Sequence, residues 1–374
     1  MSTIKTNAIL DASGGNTTTI NGVTPNAYNT MGKNRIINGA MEIDQRNAGA
    51  SKSVSGNDIY TLDRYKGWAN GGGVFSVQQS STAPDGFNRS AVLTVTTADA
   101  SVAAGDNYRW AQDIEGYNVS DLSYGSSGAK TVTVSFWVRS NLTGTYGGSL
   151  YSVTSGVSYV YQYTINSADT WEQKSITISG NTANGLNTTN GNGLRVYFDL
   201  GSGSNYQNAT GSWVSGEKFS TSGNANWIGT LSNNLYITGV QLEVGSVATE
   251  FERRPYGTEL ALCQRYYATT YNTGAAVGSA SLPGALYKTL DGTQSYASLC
   301  WNLPVTMRAT PSYAFYSPYT GTSGKFYSNQ SSADINAIAA STFAGMNAVA
   351  ALSNGATVNA QNFIVTHFSA SAEL

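Results

Sequence analysis

The stretch KTVTVSFWVRS, Lys130–Ser140, puts Val132, Val134, Phe136 and Val138 on one side of an extended chain and Thr133, Ser135, Trp137 and Arg139 on the other. An apolar residue at every second position marks a strand with one buried face. The same alternation returns in VFSVQQS from Val74, AVLTVTT from Ala91, SYVYQYTI from Ser158, SITIS from Ser175, LRVYFDL from Leu194 and LYITGVQLEV from Leu235. These segments lie between Asn34 and Tyr256 with polar turn clusters between them, and they predict a jelly-roll β-sandwich over 34–256.

Composition agrees with an all-β chain. The 41 Gly, 24 Tyr and long Ser/Thr/Asn runs favour short strands joined by polar turns. With 374 residues and 40% hydrophobic content, the chain can form two cores of ordinary size. Only 11% of residues are charged, 20 Lys+Arg against 22 Asp+Glu, so no basic field exists to hold a phosphate backbone, and nucleic acid is not an expected partner. No run of 18 apolar residues predicts membrane insertion, and the opening MSTIKTNAIL lacks the apolar centre of a secretory signal, so synthesis in a cytoplasm is expected. Cys263 and Cys300 fall in different expected strands; spacing does not decide a disulfide between them, and the ordinary reading is two reduced, buried thiols.

Residues 1–33 carry only scattered apolar points, Ile4, Ile9, Leu10 and Ile20 among them, in a Thr/Asn/Gly background. Such an arm cannot offset its own ordering entropy and needs a partner to hold it. After ERRPYG, ELALCQRYY is expected to begin with one helical turn before a strand. A second β unit follows, with strands in QRYYATTY, ALYKTL, SYASLCWNLPVT, SYAFYS, KFYSN and NFIVTHFS. Between Ala333 and Ser353 the pattern fits either one short helix or a strand pair.

Four stretches carry a family resemblance: MSTIKTNAILDASGGNTTTINGV at the start, NRIINGAMEIDQR at Asn34–Arg46, ITGVQLEVGSVATEFERRPYGTELALCQRYY at Ile237–Tyr267, and LPVTMRATPSY at Leu303–Tyr313. Together with the AEL ending, they resemble bacteriophage tail-fibre and receptor-binding proteins of the virion appendage. The resemblance implies an all-β chain with three parts: an N-terminal virion-attachment or trimerisation arm over 1–33, a jelly-roll sandwich like a carbohydrate-binding module over 34–256, and a C-terminal β-sandwich tip over 257–374. It implies attachment to a phage tail or capsid protein through the arm, at Ile4, Ile9, Leu10 and Ile20, and binding without catalysis to a host surface polysaccharide or lipopolysaccharide. The expected assembly is a homotrimer on the virion, with the RRPYGTELALCQRYY junction near its axis. A capsid-attached structural fibre or decoration protein and a surface-glycan hydrolase are the rival readings.

The chain's chemistry points to binding. Its single histidine, His367, sits in the late strand FIVTHFS, where a lone imidazole is usually a filler. No Ser-His-Asp or Cys-His arrangement stands out, and metal-ligand spacing is absent, so no cofactor is expected, with a structural Ca²⁺ left open. Hydrolysis by two carboxylates needs no histidine. Its candidate acids are Asp58, Asp63, Asp113, Glu115, Asp199, Glu243, Glu250 and Glu252, which nothing in the sequence pairs. The aromatic cluster Tyr313, Phe315, Tyr316, Tyr319, Phe326 and Tyr327 is the best receptor signal, because sugar rings stack on aromatic planes and Tyr hydroxyls add hydrogen bonds at low entropic cost. Alternation sends part of it to the core and leaves Tyr316, Tyr319 and Tyr327 as receptor-binding candidates. Trp213 and Trp227, in the polar loop Gly201–Trp227, are two further candidates; the other reading folds these rings back over the sandwich edge.

Overall fold

The computed structural model describes residues 32–289, 298–339, 344–353 and 362–374. The arm residues Ile4, Ile9, Leu10 and Ile20 lie outside this set. Thirteen strands build the first unit. They are β1 (Lys52–Val54), β2 (Ile59–Tyr60), β3 (Tyr65–Asn70), β4 (Val74–Ser80), β5 (Ser90–Thr97), β6 (Asn107–Glu115) and β7 (Val132–Ser140). The rest are β8 (Gly144–Ser152), β9 (Val157–Ile165), β10 (Glu172–Ile178), β11 (Asn192–Asp199), β12 (Trp213–Ser215) and β13 (Asn234–Val244).

They form two antiparallel sheets, ordered β1-β4-β5-β13-β7-β10 and β12-β9-β8-β11-β6-β3-β2, packed as a jelly-roll sandwich. Phe136 of β7 ties the layers, meeting Phe198 of β11 and Tyr163 of β9 edge-on at 5.0 Å each. Burying a side chain of this size contributes roughly 2 kcal/mol or more. Val132, Val134, Phe136 and Val138 all face this core, as their spacing predicts. Thr133 and Ser135, on the opposite face, are buried as well, which the alternation alone does not predict. In β13 the pairing with β7 shifts register between Thr238 and Gln241. Gly239 makes that bulge possible: its φ is +63°, and a Cβ there would lie 2.7 Å from the Phe87 ring.

One helix, α1 (Tyr256–Gln264), links the two units; it is nine residues long where one turn was expected. Eight strands follow: β14 (Tyr267–Thr269), β15 (Leu286–Thr289), β16 (Ser298–Asn302), β17 (Ser312–Tyr316), β18 (Lys325–Ser328), β19 (Ala333–Ala339), β20 (Ala348–Ser353) and β21 (Phe363–Ser371). The ambiguous stretch is therefore the strand pair β19–β20, joined in antiparallel register. At the centre, β21 pairs with β14, β15, β17 and β18, and Phe315, Phe326, Ile364 and Phe368 fill the core beneath it. No helix among the described residues is long and apolar enough to cross a membrane.

The two units meet through an apolar cluster, in which Ile37 and Ile43 pack with Cys263 and Tyr266, and through polar groups. On the outer face of the seven-stranded sheet, β6 presents Arg109, Asp113 and Glu115, all buried. Asp113 pairs with Arg195 and, at 2.7 Å, with Lys66. Glu115 accepts from Arg265 at 2.6 Å. Beyond β21, Glu373 pairs with Arg64 and, at 3.0 Å, with Arg46. Arg308 reaches back to the Asn190 carbonyl at 2.7 Å.

Candidate functional site

Alternation along β21 sends Ile364, Phe368 and Ala370 into the core and turns Val365, His367 and Ser369 to the outer face. Cross-strand partners share a face. Val365 pairs with Tyr287 of β15 on one edge and with Tyr327 of β18 on the other, and Tyr327 pairs in turn with Asp334 of β19. His367 pairs with Tyr316 of β17. The outer face thus carries a row of tyrosines drawn from segments far apart in the chain.

Two of these rings are open. Tyr287 is 72% exposed and Tyr319 is 44% exposed. Tyr319 lies flat on Tyr327, ring centres 3.9 Å apart. Its loop is clamped by Asp334, whose two oxygens accept from the Ser317 and Thr320 hydroxyls at 2.5 Å each. The Gly321 N–H donates to the Ser317 carbonyl at 2.8 Å and closes the turn. A rigid aromatic plane beside a carboxylate and hydroxyls can stack on a sugar C–H face while bonding its hydroxyls.

The inner end of the row is closed. Tyr316 is half-buried and edges onto Tyr271, which stacks on His367 at 3.7 Å. His367 Nε2 faces the Ser281 carbonyl at 2.7 Å and so carries the ring proton; Nδ1 then accepts from the Thr270 hydroxyl at 2.9 Å. Burial holds the imidazole below its ordinary pKa of 6.5, in its neutral form. This histidine is a structural filler, in line with its sequence setting.

The loop tryptophans do not form a platform. Trp227 has no exposed surface and packs edge-on against Phe75, so its assignment to receptor binding is corrected: a ring in the sandwich core offers no face to a ligand. Trp213 is half-buried at the sheet edge, wedged against Tyr124 and Tyr159, with its indole N–H donating to the Ser179 carbonyl at 2.8 Å. Both rings fold back on the sandwich. The two cysteines are also unalike, Cys263 buried and Cys300 exposed, which corrects the expectation of two buried thiols.

The buried acids are occupied by the protein itself. Asp63 accepts from the Gln45 backbone and amide, Asp199 from Ser202, Ser220 and Asn224, and Glu243 from Thr249 and Gln241. Asp113 and Glu115 serve the ion pairs above. Among the described residues no group of three or more metal-ligating side chains could hold an ion. Tyr287 and Asp334 are the site residues that sequence reasoning missed, because strand register alone sets Asp334 opposite Tyr327 and places Tyr287 across Val365 from it.

No family model and no curated protein matches this sequence. Among solved structures, 57% of the chain is similar to the enzymatically active domain of bacteriophage CBA120 tailspike protein 4, at 12% identity and a TM-score of 0.30; the match spans 21% of that chain. The family 11 carbohydrate-binding module from Clostridium thermocellum matches over 53% of this chain and 98% of its own, at 11% identity and TM-score 0.28. The C-terminal family 22 carbohydrate binding module of Clostridium thermocellum Xyn10B matches over 50% and 91%, at 14% identity and TM-score 0.29. The architecture described above stands on its own strand pairing.

Proposed function

We propose that the chain is an adhesin of a phage appendage, which binds a host surface glycan on the outer face of its C-terminal sheet without breaking bonds in it. The observation that carries this reading is the exposed pair Tyr287 and Tyr319 on that face. Of the tyrosines among the described residues, only four stand out as exposed, and two of the four lie in this one row. The motifs at Met1, Asn34, Ile237 and Leu303 supply the appendage part of the reading, with the virion held by the arm over 1–33 and three chains assembled together. Weak single sites on three tips then act in concert.

The test is binding of the purified chain to immobilised lipopolysaccharide and capsular polysaccharide. Replacing Tyr319 by Ala is expected to weaken binding about tenfold, the equivalent of ~1.4 kcal/mol, while the melting temperature stays put because the ring lies outside the core. Light scattering is expected to return three times the 39.4 kDa chain mass. Undiminished binding by the variant removes the tyrosine row from the site. Absence of binding to any surface polysaccharide favours a structural fibre, and shortened glycan products favour a hydrolase.

A further inference from the structure

A second hollow lies at the junction of the sandwich and α1, away from the tyrosine row. It is a cleft of about 420 Å³ between Gln79 and Arg89 of the sandwich, Gln264 of α1 and Asn272 of the following loop. A smaller hollow of about 250 Å³ continues it, and Glu42 and Tyr256 line both, so the two form one trough.

Its walls hold both spent and unspent polar groups. Gln45 is consumed by Asp63 and Tyr267, and Arg254 by Glu252 and Glu259, as Arg46 and Arg64 are by Glu373 elsewhere in the junction. In the trough, the Arg89 guanidinium and the Gln264 and Asn272 amides make no side-chain hydrogen bond among the described residues. Gln79 spends only its amide N–H, on the Met41 carbonyl at 2.7 Å, and Glu42 receives one long bond from Asn88 at 3.4 Å. Beside them the Tyr256 ring is 49% exposed.

We infer that this trough is a second saccharide site, for one or two neutral sugar units of the glycan chain. Ligand class follows from the wall chemistry. Amides and a carboxylate together offer donors and acceptors at short spacing, which matches vicinal hydroxyls, each of which both donates and accepts. The Tyr256 ring supplies the apolar surface that a sugar C–H face covers. Its acids, Glu42, Asp44, Glu252 and Glu259, outnumber its arginines, Arg89, Arg253 and Arg254, so no positive excess selects a polyanion. A concave site with a few convergent polar groups is the ordinary form of a small-ligand pocket. The inference rests on the glycan-adhesin reading for its ligand class, but it uses none of the residues of the tyrosine row.

Saturation-transfer NMR on the full chain tests it, with maltotriose, mannotriose, galactotriose and chitotriose as neutral probes and a trigalacturonate as the charged one. Expected is transfer to at least one neutral probe, with affinity falling about tenfold in an Arg89→Ala/Gln264→Ala variant and in Tyr256→Ala/Gln264→Ala, and unchanged in Tyr319→Ala. Transfer lost in Tyr319→Ala but kept in the trough variants overturns the second site and upholds the tyrosine row. Transfer to no neutral probe, or to trigalacturonate alone, overturns the inference while surface-polysaccharide binding still judges the row separately. If the trough variants instead fall apart to single chains, the trough is a contact between copies of this chain and the saccharide site is withdrawn.

Discussion

Tyr266 donates its phenolic hydrogen to Glu115 at 2.5 Å, in a buried bond between residues 151 positions apart. The other Glu115 oxygen takes Arg265 at 2.6 Å, so one carboxylate at the end of β6 holds two consecutive residues at the start of the C-terminal sheet. Replacing Glu115 by Ala strands a guanidinium and a buried hydroxyl. It is expected to cost about 3 kcal/mol, in the range for breaking buried ion pairs. Urea unfolding followed by circular dichroism checks this, with the single transition of the parent splitting into two as the units uncouple.

Asp113 and Asp63 give the acid limb two opposite contributions. Burial pushes the Asp113 carboxyl up, but Arg195 and Lys66 more than offset it and hold the group below the usual 3.8. Its depressed value adds stability that is present above about pH 4 and lost as pH falls through the folded-state value. Burial raises Asp63 to about 6, over the opposing pull of Arg46 and Gln45. A raised carboxyl works the other way: its folded form holds the proton more tightly, so stability declines as pH rises from about 4 through 6. Denaturant midpoints measured from pH 3 to 7 are expected to drop steeply at the acid end in the parent and less steeply in Asp113→Asn. That variant starts from a lower midpoint at pH 7.

Trp227 offers a size test of the core. Its indole nitrogen is buried with no hydrogen-bond partner. Replacement by Phe therefore removes an unsatisfied donor while keeping most of the ring against Phe75. Thermal unfolding is expected to show a loss of about 3–5 kcal/mol for Trp227→Ala and well under half of that for Trp227→Phe. The polysaccharide binding proposed for the tyrosine row is expected to be unchanged in both.

Thiol chemistry separates the cysteines. Cys300 is exposed, whereas burial pushes the Cys263 thiol well above its ordinary value and keeps reagent out. Iodoacetamide is expected to add one group to the native chain and two in urea, read by intact-mass spectrometry; two adducts under native conditions would show that the α1 end opens.

Legibility from sequence followed locality. The seven alternating segments are strands, because each carries its own period-two signal. In β6, NYRWAQDIE, the inward set includes Gln112 and the outward set includes Ala111, which blurs the alternation. Gln112 is tolerated inside because its amide exchanges bonds with the Ile37 backbone, at 2.8 and 2.7 Å. β8, GTYGGSLYS, carries no clean alternation; a side chain at Gly148 would sit 2.5 Å from the Tyr161 ring, so glycine there serves close packing. Tyr319 and Tyr327, eight residues apart, were within reach of sequence reasoning; Tyr287, brought alongside by β21, was not.

Placing β21 at the middle of its sheet also fixes how the molecule carries mechanical load. Neighbours clasp this strand along both edges, and the residues just beyond it are anchored to the sandwich by Arg46, Arg64, Lys66 and Arg308. A tether pulling on Tyr287 and Tyr327 strains hydrogen bonds on both edges of one central strand, and peeling that strand from its far end requires the Glu373 ion pairs to part first. Tension applied at this face therefore passes through β21 into the sandwich before the sheet can unravel.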